Sequence, residues 1–339
     1  MTGMKKKLLA LLMIVSIAVV GLAGCGGNKE YPSNDINGYV AWGAGGATDI
    51  VARTLSIYAA EELGVDIVIQ NKTGASGAIA TEFVKKQKAD GYTLLFNAEN
   101  PTLYKVMDIS QVDYDDFTPV ILISQQTPVI VVAPDSPYQS ISDLIEDAKA
   151  NPGTIKLGTT GVGALPANVA AMLESTSGVT FNQVPFGGDA DALTAVMGKH
   201  ADVSVINYSV AVDYAKEGTV RILTVLNNER LANEPDVECI SEVYPEYHDY
   251  FPWGAFVGVY VNNECSDDVK EKLTTAFSAA WNKDEFQTYL KDNDIIPLGH
   301  TGEDAVAYIT KWQQVTTWLL QDAGQAVVSP EEFGIERLS

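Results

Sequence analysis

Three cysteines and three histidines are all that 339 residues contain. They stand far apart. No CxxC pair occurs, and His200, His248 and His300 are scattered, so a zinc-type site is excluded. A disulfide framework is excluded too, since beyond Cys25 only Cys239 and Cys265 remain to pair. Basic residues are equally scarce, with 22 Lys and Arg against 44 Asp and Glu and a formal charge of -22. Such a chain does not bind nucleic acid or an anionic membrane surface through its overall field. No Gly-x-Ser-x-Gly elbow and no Gly-Lys-Ser/Thr phosphate loop is present. No nucleophile–base–orienter set is visible, so the expectation is a protein that is not an enzyme and carries no cofactor.

Apolar runs long enough to matter for a membrane are confined to the start. Lys5, Lys6 and Lys7 precede an apolar stretch from Leu8 to Leu22, the layout of a secretory leader. The stretch is short for a spanning helix, which needs about 20 apolar residues. It ends in Leu22-Ala23-Gly24-Cys25, which resembles the bacterial lipobox. Residues 1–24 are therefore expected to be removed, with Cys25 lipidated and residues 25–35 serving as a tether. Removal of three lysines and no acid takes the charge from -22 to -25. The expected location is extracytoplasmic, on the outer side of the cell membrane, held by lipid on Cys25. The remaining length of about 310 residues suggests two domains, and an apolar fraction of 46% is that of a folded chain.

Periodicity predicts strands over Gly38–Trp42, Val65–Gln70 and Thr93–Asn97, with helices over Thr48–Leu63 and Gly77–Lys88 between them. That βαβαβ order implies an α/β fold with a mostly parallel sheet. The pattern resumes with helices over Ile141–Ala150, Pro166–Ser177 and Ala190–Met197, and strands over Ile155–Thr159, Phe181–Pro185 and Val203–Asn207. The apolar runs Pro128–Pro134 and Ala255–Asn262 read as crossings between two lobes. Lobe one is then residues 36–127 and 255–339, and lobe two is residues 128–254. Three closing helices are predicted at Asp267–Trp281, Glu285–Asn293 and Glu303–Asp322.

The loop Trp42-Gly43-Ala44-Gly45-Gly46-Ala47-Thr48-Asp49 lies between a strand and a helix. Glycines let a ligand approach the main chain, Thr48 or Asp49 can cap the helix, and the helix start offers unpaired N–H groups to an anion. A dinucleotide fingerprint lacks its third glycine here, and the second strand ends in Gln70-Asn71 rather than an acid. An anion-binding receptor loop and a plain strand-to-helix turn both remain open. A second such turn is Gly158-Thr159-Thr160-Gly161-Val162-Gly163-Ala164, and a third is Pro185-Phe186-Gly187-Gly188-Asp189. Asp189 reads as an N-cap or a ligand contact. Asn97, Tyr104 and Tyr208 follow strands near the expected mouth. Trp42 and Trp253 suit either a pocket wall or the core, and Arg53 suits a salt-bridged helix face.

Tyr31-Pro32-Ser33, Gly43–Asp49, Asn71–Gly77, Asp90–Leu95, Asp116–Val120, Lys149–Gly153 and Pro185–Gly188 resemble, in order and spacing, the receptors of tripartite tricarboxylate transporters, the Bug type. The resemblance implies a two-lobed periplasmic-binding-protein fold of type II with an interlobe cleft. It implies a monomeric receptor that closes on a small, carboxylate-bearing solute and hands it to small and large membrane permease subunits. Carried over, it places ligand contact at Gly43, Ala44, Gly45, Gly46, Ala47, Thr48 and Asp49, and at the Gly158–Gly163 turn, with Thr159, Thr160, Gly161, Val162 and Gly163 as the contacts. Trp42, Gly187, Asp189, Asn97 and Tyr208 complete the expected set. The chain departs from the family's pattern at Ala164-Leu165-Pro166, where a small hydroxyl residue and often histidine are usual. It departs again at Asp189, where Ser or Ala is usual, and at Trp42, where phenylalanine is. Those departures open the site to an amino acid, an aromatic acid or another mixed ligand. An exported α/β hydrolase and a sensor accessory for a membrane kinase are the competing function classes.

Overall fold

In the computed structural model the described residues are 30–251 and 253–338, and the elements below all fall within Asn34–Ser339. The expected leader, Cys25 and the tether up to residue 29 lie outside the described residues.

The first strand, β1 (Ile36–Val40), alternates buried and half-buried positions. It pairs in parallel with β2 (Ile67–Asn71) and β3 (Thr93–Asn97), Ile36 opposite Ile67 and Tyr39 opposite Leu95. Helix α1 (Ala47–Leu63) crosses between β1 and β2, burying Val51, Leu55 and Ala59 at helical spacing, and Gly64 ends it in a left-handed conformation. Helix α2 (Ala78–Lys85) crosses from β2 to β3. The chain continues into β4 (Phe117–Gln125) and β5 (Pro128–Val132). A six-stranded sheet results, in the order β11-β4-β10-β3-β1-β2, closed by β10 (Phe256–Asn262) and β11 (Ile296–His300).

The second sheet has five strands in the order β7-β6-β8-β5-β9, with β6 at Lys156–Thr159, β7 at Asn182–Pro185, β8 at Val203–Asn207 and β9 at Arg221–Val225. Its helices are α3 (Ile141–Ala150), α4 (Leu165–Ser177), α5 (Asp189–Met197), α6 (Tyr208–Lys216) and the short α7 (Ile240–Val243). Helix α3 starts on a reciprocal capping box between Ser140 and Asp143. Each sheet is mixed: β1, β2 and β3 pair in parallel, as do β6, β7 and β8, whereas the mostly parallel sheet expected from the βαβαβ order is interrupted by antiparallel strands. The run at Pro128–Pro134 becomes β5, antiparallel to β8 and β9, and the run at Ala255–Asn262 becomes β10, antiparallel to β3 and β4.

Helices α8 (Asp267–Trp281) and α9 (Asp284–Asp292) follow β10, and α8 packs against α1. The long α10 (Gly302–Asp322) lies against α4 of the other lobe and against β4. Trp312 on α10 stacks on Trp253, with ring centroids 5.9 Å apart, and each indole N–H is satisfied, by Gly254 O and Thr316 Oγ1. Trp253 thus belongs to the core, in a cluster that runs through both sheets. Cys239 and Cys265 are both buried and free, so the one pairing the sequence allows is not made.

Periodicity leaves β4 unassigned because Pro119 interrupts it, and proline is rare inside a sheet. The structure accommodates it beside register shifts in the β4–β10 pairing, at Val257/Gly258 and Val259/Tyr260. Gly38 has a different reason to be in β1. A Cβ there would lie 2.6 Å from Ile69 Cδ1 and 2.7 Å from the Phe96 ring. We expect Gly38→Val to destabilise the chain by about 1–3 kcal/mol through overpacking. Urea unfolding measures this, and an unchanged midpoint would mean the packing of Ile69 and Phe96 over β1 is looser than these contacts indicate.

Candidate functional site

The first glycine loop is held from behind by one carboxylate. Asp49, buried on the first turn of α1, accepts from Gly45 N (3.0 Å), Arg53 Nε (2.9 Å) and Asn71 Nδ2 (2.7 Å). Burial pushes its pKa up, but these donors outweigh burial and hold it below the usual carboxylate range. Asn71 also donates to Trp42 O (2.9 Å), and Trp42 Nε1 donates to Asn97 Oδ1 (3.0 Å). The N-cap is Gly46, not Thr48 or Asp49, and no side chain caps the helix. Since Ile50 N is the first to find an intrahelical acceptor, at Gly46 O, the amides of Ala47, Thr48 and Asp49 have none within the helix.

Opposite this loop stand the C-terminal ends of β6, β7 and β8, the edge where open α/β sheets take ligands. The two lobes meet there main chain to main chain. A Cβ on Gly43 would lie 3.3 Å from Gly187 O, and one on Gly188 would lie 3.3 Å from Gly43 N. The second turn closes on the first lobe as well. Ser76 Oγ donates to Val162 O (2.7 Å) and Asn100 Nδ2 donates to Gly163 O (3.0 Å). Gly161, at φ +113°, leaves no room for a side chain, since its Cβ would sit 2.6 Å from Ser76 Oγ.

Between these contacts lies a cavity of about 30 Å³, space for a water molecule or two. Trp42, Ala47, Thr48, Thr160 and Asp189, all expected at the site, line it. The rest of the expected set is placed otherwise. Gly43, Ala44, Gly45, Gly46 and Asp49 form and brace the loop behind the wall. Thr159, Gly161, Val162, Gly163 and Gly187 shape or dock the facing turns. Asn97 is fully buried, its amide shared between Trp42, Thr81 and the Ala98 N–H. Tyr208 is buried on α6 with its hydroxyl on Glu234, and Tyr104 donates to Ser76 O. These three aromatic and amide groups are spent on internal bonds and do not line the cavity. Wider grooves, including one of about 750 Å³ along α1 and β2, open on the outer surface away from this junction.

Asp189 is the first residue inside α5, and the N-cap is Gly188. Its carboxylate accepts from Asn207 Nδ2 (2.7 Å) and from the N–H groups of Asn207 and Ala47. The acid of one lobe thus occupies part of the helix start of the other. Burial raises its pKa to about 6 despite those bonds. Glu99, just past the end of β3, is 1% exposed and lines the same cavity, with no partner on Oε2. Burial raises its pKa to about 8, and the charge of Asp189 adds to the shift. Glu99, Asn100, Gln126 and Asn207 are lining residues that the sequence reading misses. The signal available was topological, since Glu99-Asn100 follows β3 directly, between the two positions selected there, Asn97 and Tyr104. The far wall, Ala164, Leu165 and Pro166 with Val257, is apolar.

The family model described as tripartite tricarboxylate transporter family receptor matches residues 51–324. A UPF0065 protein of Bordetella pertussis is 28% identical over 316 residues, 92% of this chain and 96% of its own length. BugT of the same organism is 29% identical over 295 residues, covering 80% of this chain and 88% of BugT. Among solved structures, the periplasmic binding protein BugD superposes with a TM-score of 0.81 at 26% identity, over 87% of this chain and 99% of BugD. MatC from Rhodopseudomonas palustris, solved with bound malate, gives 0.78 at 24% identity, over 86% and 100% of the two chains.

Glu99 supplies a pH test. Its folded carboxyl keeps a proton that the unfolded chain gives up near the ordinary value of 4.5. Its contribution is therefore complete below that value and is lost as pH rises through about 8. Glu99→Gln, which stays neutral, is expected to gain stability relative to the parent chain between pH 5 and 8. Urea unfolding of both chains at the two pH values checks this, and parallel curves would sink it.

Proposed function

The chain belongs to the receptor family of tripartite tricarboxylate transporters, and from that premise we propose a lipid-anchored, extracytoplasmic receptor that captures a small carboxylate-bearing solute and delivers it to a permease of small and large membrane subunits. The moving bodies in this reading are residues 36–127 with 255–339, and residues 128–254. Cys25 carries the lipid, and the segment after it is the tether. The observation that carries the proposal is the junction itself, where glycine turns at the strand ends of both sheets meet around one small, partly polar cavity.

The mechanism is binding without chemistry. A cavity of about 30 Å³ cannot admit an organic acid, so the lobes must part for entry and close again. The solute's carboxylate would rest on the first turn of α1 at Thr48, with Thr160 reaching it from the opposite lobe. Only differential affinity for the closed arrangement can shift the population toward it. The interlobe bonds from Ser76 and Asn100 hold the lobes together here, so the solute-bound arrangement would be wider than this one. The permease then recognises the closed pair of lobes.

Thermal unfolding of the mature chain against a panel of mono-, di- and tricarboxylates tests the reading. A solute at about 100 times its Kd should stabilise the chain by about 2.7 kcal/mol. A panel that leaves Tm unmoved while the chain turns over a substrate would replace the receptor reading with an enzyme. Gly45 adopts φ +76°, so Gly45→Val should weaken binding at least tenfold while the circular dichroism spectrum stays unchanged. Unchanged affinity would remove the loop from the site.

A further inference from the structure

Three acceptors of the residues that line the cavity are left over. Glu99 Oε2, Asn100 Oδ1 and Asn207 Oδ1 are buried acceptors without a hydrogen-bond partner. The orientation of both amides is set by what their nitrogens do. Asn100 Nδ2 donates to Gly163 O and Asn207 Nδ2 donates to the Asp189 carboxylate. A flip would turn oxygen against oxygen in each case, so each Oδ1 is left facing elsewhere. Asp189 adds a second carboxylate to the same lining. No lysine, arginine or histidine is among the lining residues, and among the described residues neither Glu99 nor Asp189 makes an ion pair.

A buried carboxylate without a partner is costly, and it either takes up a proton or finds a cation. The titratable groups around Glu99 offer it no cation. They are Asp189 from the facing lobe and the tyrosines at 104, 114, 260 and 308. Tyr114 spends its hydroxyl on Ala98 O and Tyr308 spends its own on Gln125 Oε1. What the lining lacks is a compact donor of several hydrogen bonds bearing a positive charge. An ammonium, with three donors and no acceptor, is that group.

We propose that the solute carries a protonated amine, seated between Glu99 of the first lobe and Asp189 of the second, with Asn100 and Asn207 as further acceptors. The proposal rests on the receptor reading above and narrows its ligand to amine-bearing carboxylates. Because the two acids come from different lobes, the amine would bridge them only when the cleft is closed. It therefore supplies the differential affinity that closure requires. Near neutral pH, the proton held by Glu99 leaves to solvent when the ammonium arrives, since a positive charge beside the carboxyl favours its ionised form.

Isothermal titration of the mature chain with matched pairs tests this: alanine against propionate, glutamate against glutarate, phenylalanine against 3-phenylpropionate, with putrescine and calcium chloride as separate arms. The expected result is at least one amine-bearing acid that binds tenfold or more tightly than its deaminated partner. Proton release should then appear as a difference in heat between two buffers at pH 7.5. Glu99→Gln and Asp189→Asn, both near-isosteric, should each erase most of that preference and, for Glu99→Gln, the proton release. Deaminated acids that bind as tightly as their amines would overturn the amine while leaving the carboxylate receptor intact. Putrescine binding without any acid would keep the amine and remove the carboxylate. Calcium alone binding through these acids, or silence in every arm, would overturn the amine proposal.

Discussion

Main chain touching main chain across the cleft is the constraint on which the rest depends. A Cβ on Gly43 would crowd the Gly187 carbonyl, and one on Gly188 would crowd the Gly43 amide, so neither side has room that the opposite backbone does not occupy. Two sheets with different strand orders can meet this way only because both present strand C-terminal ends and helix starts at the same junction. Each loop is then rigid for its own reason. Asp49 gathers Gly45, Arg53 and Asn71 into one knot behind the first loop, while the second turn is pinned through its carbonyls by Ser76 and Asn100. The glycines permit contact, and the buried polar network decides what the contact encloses.

That division separates bracing from recognition. Asp49 looks like a binding residue in the sequence, since an acid in a glycine-rich helix start invites that reading. In the structure it accepts from three groups of its own lobe, the Gly45 amide, Arg53 and Asn71, and it is not among the residues that line the cavity, so it shapes the loop. Asp189 looks like a helix cap. It sits one position further in and reaches across to Ala47, so its charge belongs to the interlobe site. Both aspartates accept three hydrogen bonds, but a guanidinium is among the donors to Asp49, whose pKa is lowered, whereas the donors to Asp189 are neutral N–H groups and burial raises its pKa.

Much of the fold was legible because periodicity and punctuation agree along most of the chain. Thr93–Asn97, Ile141–Ala150, Val203–Asn207 and Asp267–Trp281 are read from pattern with the bounds the structure gives. Phe117–Gln125 was hidden by Pro119, whose place in a central strand is made possible by register shifts that no local pattern encodes. At the site, Trp42, Ala47, Thr48, Thr160 and Asp189 were visible because glycine loops advertise themselves. Glu99 carries no such flag. Its role comes from being buried beside a residue 90 positions away, and burial of that kind is a property of the assembled cleft.

The acidity of the chain and the acidity of its site have different consequences. Surface carboxylates are solvated and screened within about 10 Å at ordinary ionic strength, so they keep the protein soluble and say little about the ligand. Glu99 is buried and Asp189 half-buried at the lobe junction, and there their charge depends on which partner is present. In the proposed receptor, closing the lobes would bring the two acids together and remove their water, which would oppose closure. The hydrogen bonds from Ser76 and Asn100 and the packing of Trp312 on Trp253 would offset that cost. A cleft balanced in this way would respond to a group that neutralises its acids, and closure would then report on what has been bound.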